Sequence, residues 1–162
     1  MNKQQLQRRR MYFTALVILY VWGLLAWQYF HGGVPSHHIL HRGDLPSISN
    51  WWGGLLLPTL TWFLIGRINQ REAGKYSKGV ILGFFAALLY GIALSASFVY
   101  GLEQLGSYMA PGLLFLALFL PIYKSEYFLG FVLGMSYTFG ALLPTGFSTI
   151  VALIAVVIYN YV

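Results

Sequence analysis

The stretch MYFTALVILYVWGLLAWQYF, residues 11–30, is a run of twenty residues without a charge. A bilayer core about 30 Å thick is crossed by a helix of roughly 20 apolar residues. Because lipid offers no hydrogen bonds, a backbone inside it has to satisfy its own groups, as a helix does. Three arginines, Arg8 to Arg10, come immediately before the run. The stretch therefore predicts a membrane-spanning helix with basic residues at its start.

The rest of the chain has the same character. Its 162 residues are 58% hydrophobic and 9% charged, whereas soluble domains carry about 25% charged residues. The lack of cysteine excludes disulfides, thiolate metal sites and cysteine nucleophiles. The predicted spans are residues 11–30, 51–65, 79–102, 108–123, 127–143 and 146–162. The predicted fold is all-α: a single-domain, polytopic helical integral membrane protein with about six transmembrane helices.

Two helix boundaries are indicated by local sequence. Ser49 or Asn50 is predicted to cap the second helix, because both residue types accept hydrogen bonds from the first free amides. Pro144-Thr145-Gly146 predicts a turn between the last two spans. Each of these spans is near the lower length limit, so residues 127–162 form either two full spans or a re-entrant hairpin.

The basic residues predict the topology. Nine of the ten precede the first span or follow the second and fourth, and Arg42 alone lies on the other side. The positive-inside rule then places both termini in the cytoplasm and the loop 31–50 on the external or periplasmic side. The predicted location is the cytoplasmic or inner membrane. Since these residues flank lipid-buried helices and form no single basic face, nucleic acid is excluded as a partner and membrane lipids are favoured.

The external loop contains every histidine of the chain: His31, His37, His38 and His41. A helical turn after an N-cap at Ser36 would set His37 and His41 at i and i+4 on one face. Such a pair can bind a divalent metal such as zinc. Asp44 is the predicted third metal ligand, with His31, His38 and Glu103 as other choices. The plainer interpretation is that these histidines hydrogen-bond lipid headgroups and backbone.

The charged residues of the loop widen the predicted site. Arg42 either pairs locally with Asp44 or presents its guanidinium to a phosphate or carboxylate. Glu103, at the outer end of the third span, is expected to lie beside the loop. The predicted catalytic set is His37, His41, Arg42, Asp44 and Glu103.

Two classes of function fit such a loop, and a third stays open. The first is a membrane-embedded enzyme acting on a lipid or another apolar small molecule, with histidine as general acid or base. The second is a small oligomeric channel or transporter, with the loop as gate or pH sensor. The third is an accessory membrane subunit. An enzyme predicts a closed pocket under the loop, whereas a conducting path predicts hydroxyl groups around an axis.

Small residues predict where helices touch. Gly83, Ala87, Gly91 and Ser95 recur every fourth position of the third span, and Gly130 and Gly134 form a GxxxG pair in the fifth. Helices in lipid associate by close backbone approach at such faces. The third span is therefore predicted to be the packing centre. These faces serve contacts within one chain or between the copies of a homo-oligomer.

Overall fold

The computed structural model describes residues 3–38, 47–73 and 75–161, and for residues 37, 38, 47, 48, 103 and 110 it describes the backbone alone. Helices make up most of the described chain. They are α1 Lys3–Phe30, α2 Gly53–Arg71, α3 Lys78–Val99, α4 Glu103–Leu116, α5 Ser125–Phe139 and α6 Leu142–Tyr161.

Among the described residues, three helices are long and apolar enough to cross a membrane: α1, α3 and α6. The outward faces of the bundle carry large apolar side chains, such as Leu19, Leu89 and Leu153, each more than 60% exposed. Apolar surface on this scale is rare on soluble monomers and suits contact with lipid. Length and composition thus support a helical membrane protein with at least these three spans.

Neighbouring helices run in opposite directions. Arg10 of α1 contacts Trp62 late in α2, while Trp22 lies against Trp51 just before α2, with ring centroids 6.2 Å apart. The starts of α1, α3 and α5 therefore share one end of the bundle with the end of α2. This end, called the basic end, carries Arg10, Arg71 and Lys78 among others; the opposite end, beside Phe30 and Asn50, is called the loop end.

The closest helix contact joins α3 to α5 through glycine. A Cβ atom added to Gly91 would lie 2.6 Å from the carbonyl oxygen of Phe131. Added Cβ atoms at Gly130 and Gly134 would overlap the carbonyl oxygens of Phe84 and Leu88. The two predicted small-residue faces therefore pack against each other within one chain. The helix with most neighbours is α5, which packs against α2, α3 and α6, so the predicted central role of the third span is not confirmed. Association between copies stays a prediction.

The turn between the last two helices lies earlier than predicted. Gly140 adopts a φ of +68°, a left-handed conformation that favours glycine, and α6 begins at Leu142. The predicted turn at residues 144–146 is wrong, because those residues form the first helical turn of α6. Pro144 fits there, since the first amides of a helix have no intrahelical partner. Ser49 caps a 3-10 helix, Asn50–Trp52, that leads into α2: its Oγ accepts a hydrogen bond from the Trp51 amide at 3.4 Å. The prediction is confirmed for this short helix and not for α2 itself, whose N-cap residue is Trp52 and has no side-chain cap.

The described parts of the loop form a short antiparallel ladder. Strand β1, Ser36–His38, pairs with β2, Ser47–Ser49, so that His37 lies opposite Ile48. The predicted helical turn after Ser36 is wrong, because the backbone there pairs with a second strand. Ser36 therefore does not cap a helix, and the i, i+4 argument for His37 and His41 loses its structural basis. His41, Arg42 and Asp44 lie outside the described residues.

Candidate functional site

A large cavity among the described residues lies on the side of the bundle, between α1 and α3. It has a volume of about 680 Å³ and an almost entirely apolar lining. Leu16 and Tyr20 line it from α1, Ile92 and Ala96 from α3, and Gly134 forms part of its floor on α5. We call it the loop-end chamber, because it extends to Tyr100 and Thr138 near that end of the bundle.

A second cavity, of about 470 Å³, continues the first towards the basic end. The two share Phe13, Leu16, Phe84 and Phe85 in their linings. The second cavity, called the basic-end chamber, is also lined by Arg9, Tyr76 and Val80, with further lining from α2 and α5. Together the chambers form one groove, the α1–α3 groove. Along α3 it extends from Val80 to Tyr100, which is about 30 Å of helix and close to the thickness of a bilayer core.

An aromatic contact crosses the middle of the α1–α3 groove. The rings of Phe13 on α1 and Phe84 on α3 meet edge to face, with centroids 5.8 Å apart. Phe84 is also in edge contact with Phe85, at 5.4 Å between centroids. Because Phe13 and Phe84 belong to both linings, their contact divides the groove into its two chambers.

Tyr20, which lines the loop-end chamber, is hydrogen-bonded to Ser136 of α5, which is not part of the chamber lining. Ser136 donates a hydrogen bond to the carbonyl of Leu133 at 2.8 Å, so its oxygen is free to accept one from the Tyr20 hydroxyl at 3.2 Å. Behind Ser136 lies a cavity of about 10 Å³ that is also lined by Gln28 and Asn50. Among the described residues the Gln28 Oε1 atom is buried without a hydrogen-bond partner. A space of this size is at the lower limit for a single water molecule.

An ion-pair network lies at the basic end. Glu126 is 3% exposed and accepts two hydrogen bonds from the Arg71 guanidinium, at 3.0 and 2.9 Å. The same arginine donates to Glu72 at 3.1 Å, and the other Glu72 oxygen accepts from the Ser77 amide. These backbone and arginine hydrogen bonds hold the pKa of the Glu72 carboxyl below its usual range. Arg71 thus ties the end of α2 to the start of α5.

Arg10 attaches α1 to α2 one turn further into the bundle. Its Nε donates to the carbonyl of Trp62 at 2.7 Å, and its guanidinium carbon lies 3.9 Å from the centre of the Trp62 ring. A Cβ atom at Gly66 would lie 2.7 Å from the guanidinium, so glycine is the residue that leaves room for it. Arg10 is therefore committed to helix packing.

The predicted loop site is described in part. His31 is exposed and stacks on Trp27, with 4.8 Å between ring centroids, and its Nδ1 lies 2.9 Å from the Trp27 carbonyl oxygen. Glu103 begins α4, and its side chain, like those of His37 and His38, lies outside the description. Within residues 3–38, 47–73 and 75–161, no three His, Cys, Asp or Glu residues are grouped as a metal site would require.

The structure also bears on the two classes predicted for the loop. Beneath Ser49 and Asn50 the cavities measure about 10 Å³ each, far below substrate size. Several hydroxyls of the helices donate to carbonyls of their own helix, as Thr59 does to Leu55 and Thr149 to Thr145. The described residues therefore place their substrate-sized space at the side of the bundle.

Comparison of the chain with protein-family models, curated proteins and solved structures found no match. Neither the groove nor the ion-pair network was predicted from the sequence. For Glu126, one signal was present: an acid at the start of a predicted span needs a partner, and Arg71 follows the second span on the same side.

Proposed function

We propose that this protein is a six-span inner-membrane protein that holds the hydrocarbon chain of an amphiphile in its α1–α3 groove. In this proposal both termini are cytoplasmic and the loop 31–50 is external. The alternating directions of the six helices and the basic residues gathered at one end support this arrangement. The short helices α4 and α5 would require a locally thin bilayer or a tilt of their neighbours.

The proposal is based on the shape of the α1–α3 groove, which is long and narrow. An α-helix with its side chains is about 10–12 Å across, and the Phe13 and Phe84 rings touch across the groove. A helix of another protein therefore cannot lie along the floor. An extended hydrocarbon chain is thinner, and both chambers present it with an apolar lining that opens sideways to lipid.

The proposal assigns the predicted apolar ligand to the α1–α3 groove. It does not change the predictions made for the chemistry of the loop. The catalytic roles of His37, His41, Arg42, Asp44 and Glu103, and the zinc site of His37, His41 and Asp44, stay predictions. The channel or transporter and the accessory subunit stay alternatives. A bound lipid chain is compatible with an enzyme that acts on lipid and with a subunit that carries one.

The topology can be tested by cysteine labelling of the otherwise cysteine-free chain. Single cysteines at Ser77 and Ser125 are expected to react from the cytoplasmic side, and one at Ser47 from the outside. Nine of the ten basic residues lie on the same side of the predicted spans as Ser77 and Ser125, and basic residues mark the cytoplasmic side. Labelling with an impermeant maleimide, compared between intact and permeabilised cells, measures this: an external cysteine reacts in both, and a cytoplasmic cysteine reacts only after permeabilisation. Reaction of Ser47→Cys from the cytoplasm would show the proposed topology to be wrong.

Lipid retention tests the groove. Native mass spectrometry of the purified chain with dioleoyl phosphatidylcholine is expected to show lipid retained by the wild type. Ala96→Phe is expected to remove about one lipid per chain, because a cavity of this size takes one ligand and Ala96 lines the loop-end chamber. Ala93→Phe is the matched control, since Ala93 is on the same helix, exposed, and outside both chamber linings. Equal retention by both variants would contradict the proposal.

A further inference from the structure

Three consecutive arginines of α1 point in different directions. Successive residues of a helix are rotated by about 100°, so Arg8, Arg9 and Arg10 cannot share one environment. Arg10 is bound to α2 through Trp62. Arg8 and Arg9 are both exposed, but Arg9 lines the basic-end chamber and Arg8 lines neither chamber.

The Arg9 charge has no acidic partner in the described part of the chain. The acids with described side chains are Glu72 and Glu126, and both are bound by Arg71. Glu126 also lines the basic-end chamber, but its carboxylate is occupied by the two hydrogen bonds from Arg71. Arg9 is thus a cation at the mouth of an apolar chamber, with its guanidinium donors unused by the protein.

Tyr76 forms part of the same chamber and holds a fixed position. Its hydroxyl donates to Asn69 Oδ1 at 2.6 Å. Arg9 and Tyr76 line the same chamber. Burial raises the pKa of the Tyr76 phenol, and the positive charge of Arg9 opposes that rise. Tyr76 therefore stays neutral at physiological pH and offers Arg9 no counter-charge.

We propose that Arg9 binds the phosphate of an anionic lipid headgroup whose hydrocarbon chain enters the basic-end chamber. The guanidinium presents a planar set of donors that matches phosphate oxygens, and the apolar lining begins directly beside it at Tyr12 and Phe13. An anionic amphiphile has both a negative charge for Arg9 and a hydrocarbon chain for the chamber, whereas free phosphate has the negative charge alone. This inference rests on the proposed function, because it identifies the amphiphile that the groove holds.

The test compares two lipids with the same chains. The purified full-length protein is incubated with dioleoyl phosphatidylglycerol or dioleoyl phosphatidylcholine, and retained lipid is counted by native mass spectrometry. The wild type is expected to retain the anionic lipid about fivefold better, the scale expected for one cation at a membrane surface. Arg9→Gln is expected to bring the two lipids to equal retention, and Arg9→Lys to keep most of the preference.

Arg8→Gln is the matched control, because it removes the same charge from the adjacent residue. It is expected to keep the preference for phosphatidylglycerol. An equal loss in Arg8→Gln and Arg9→Gln would overturn the inference in favour of a diffuse surface charge. Displacement of phosphatidylglycerol by inorganic phosphate alone would overturn the assignment to a lipid. The melting temperature of each variant is measured in detergent, and the Arg9→Lys result separates loss of charge from loss of fold.

The outcomes also separate this inference from the proposed function. If the wild type retains both lipids equally, and Ala96→Phe still reduces retention, the groove binds chains and the headgroup assignment is wrong. If the wild type retains neither lipid, the proposed function fails and the inference fails with it.

Discussion

The Gly91→Leu variant is expected to lose the folded bundle. Its new side chain would start 2.6 Å from the Phe131 carbonyl oxygen, and it would also press on the Gly134 backbone. Backbone cannot move aside as a flexible side chain can, and overpacking of a tight interior already costs 1–3 kcal/mol, so the expected loss is about 3 kcal/mol or more. Thermal unfolding in detergent measures the effect.

Two controls separate this clash from the general cost of substitution. Ile92→Leu changes the next residue, which is 48% exposed, and is expected to shift the free energy of unfolding by less than about 0.5 kcal/mol. Gly23→Leu places the same side chain at a helical glycine with nothing within 4 Å, where it is expected to be tolerated. If Gly91→Leu were as stable as these controls, the glycine contact between α3 and α5 would be incidental to folding.

Arg71→Leu is expected to have the second-largest effect. The substitution leaves Glu126, whose side chain is 4% exposed, as a buried carboxylate without its cation. Removing one partner of a buried ion pair costs about 3–5 kcal/mol. Chemical unfolding in detergent is the appropriate measurement.

The reverse substitution is expected to cost less. In Glu126→Leu, Arg71 keeps its bond to Glu72, and its side chain is 35% exposed and can reach water. The double variant Arg71→Leu/Glu126→Leu is expected to recover most of the stability lost in Arg71→Leu, because no unpaired charge is left inside. A double variant less stable than both single variants would contradict this account.

The features predicted correctly from the sequence are those that depend on local composition. A run such as residues 11–30 predicts a helix because lipid allows little else, and the spacing of Gly83, Gly91 and Ser95 marks one face of α3 by itself. Strand β2 also had a local signal in the alternation of Ser47, Ile48 and Ser49, which is typical of an extended segment. The prediction instead took Ser49 and Asn50 as caps of the second helix, because both residue types are also preferred at helix starts.

The groove could not be predicted in this way. In a soluble protein the apolar face of a helix identifies its inner side, but a helix in lipid is apolar on both its inner and outer faces. Nothing in the sequences of α1 and α3 indicates that α1 packs on α2, that α3 packs on α5, and that a space is left between the two pairs. The partnership of Arg71 with Glu126 is likewise a contact between residues 55 positions apart.

The apolar lining of the groove has a thermodynamic consequence. A hydrocarbon chain that leaves the bilayer for a site of similar polarity gains almost nothing from the hydrophobic effect, because it was never in water. Discrimination among lipids then has to come from the places where the groove differs from the surrounding bilayer. Those places are the contact between Phe13 and Phe84 across its middle and the Arg9 guanidinium at its basic end. In the proposed function the first selects lipids by the shape of the chain and the second by the charge of the headgroup. We therefore expect lipids in the groove to exchange with lipids of the bilayer, and the binding free energies of different lipids to differ only slightly.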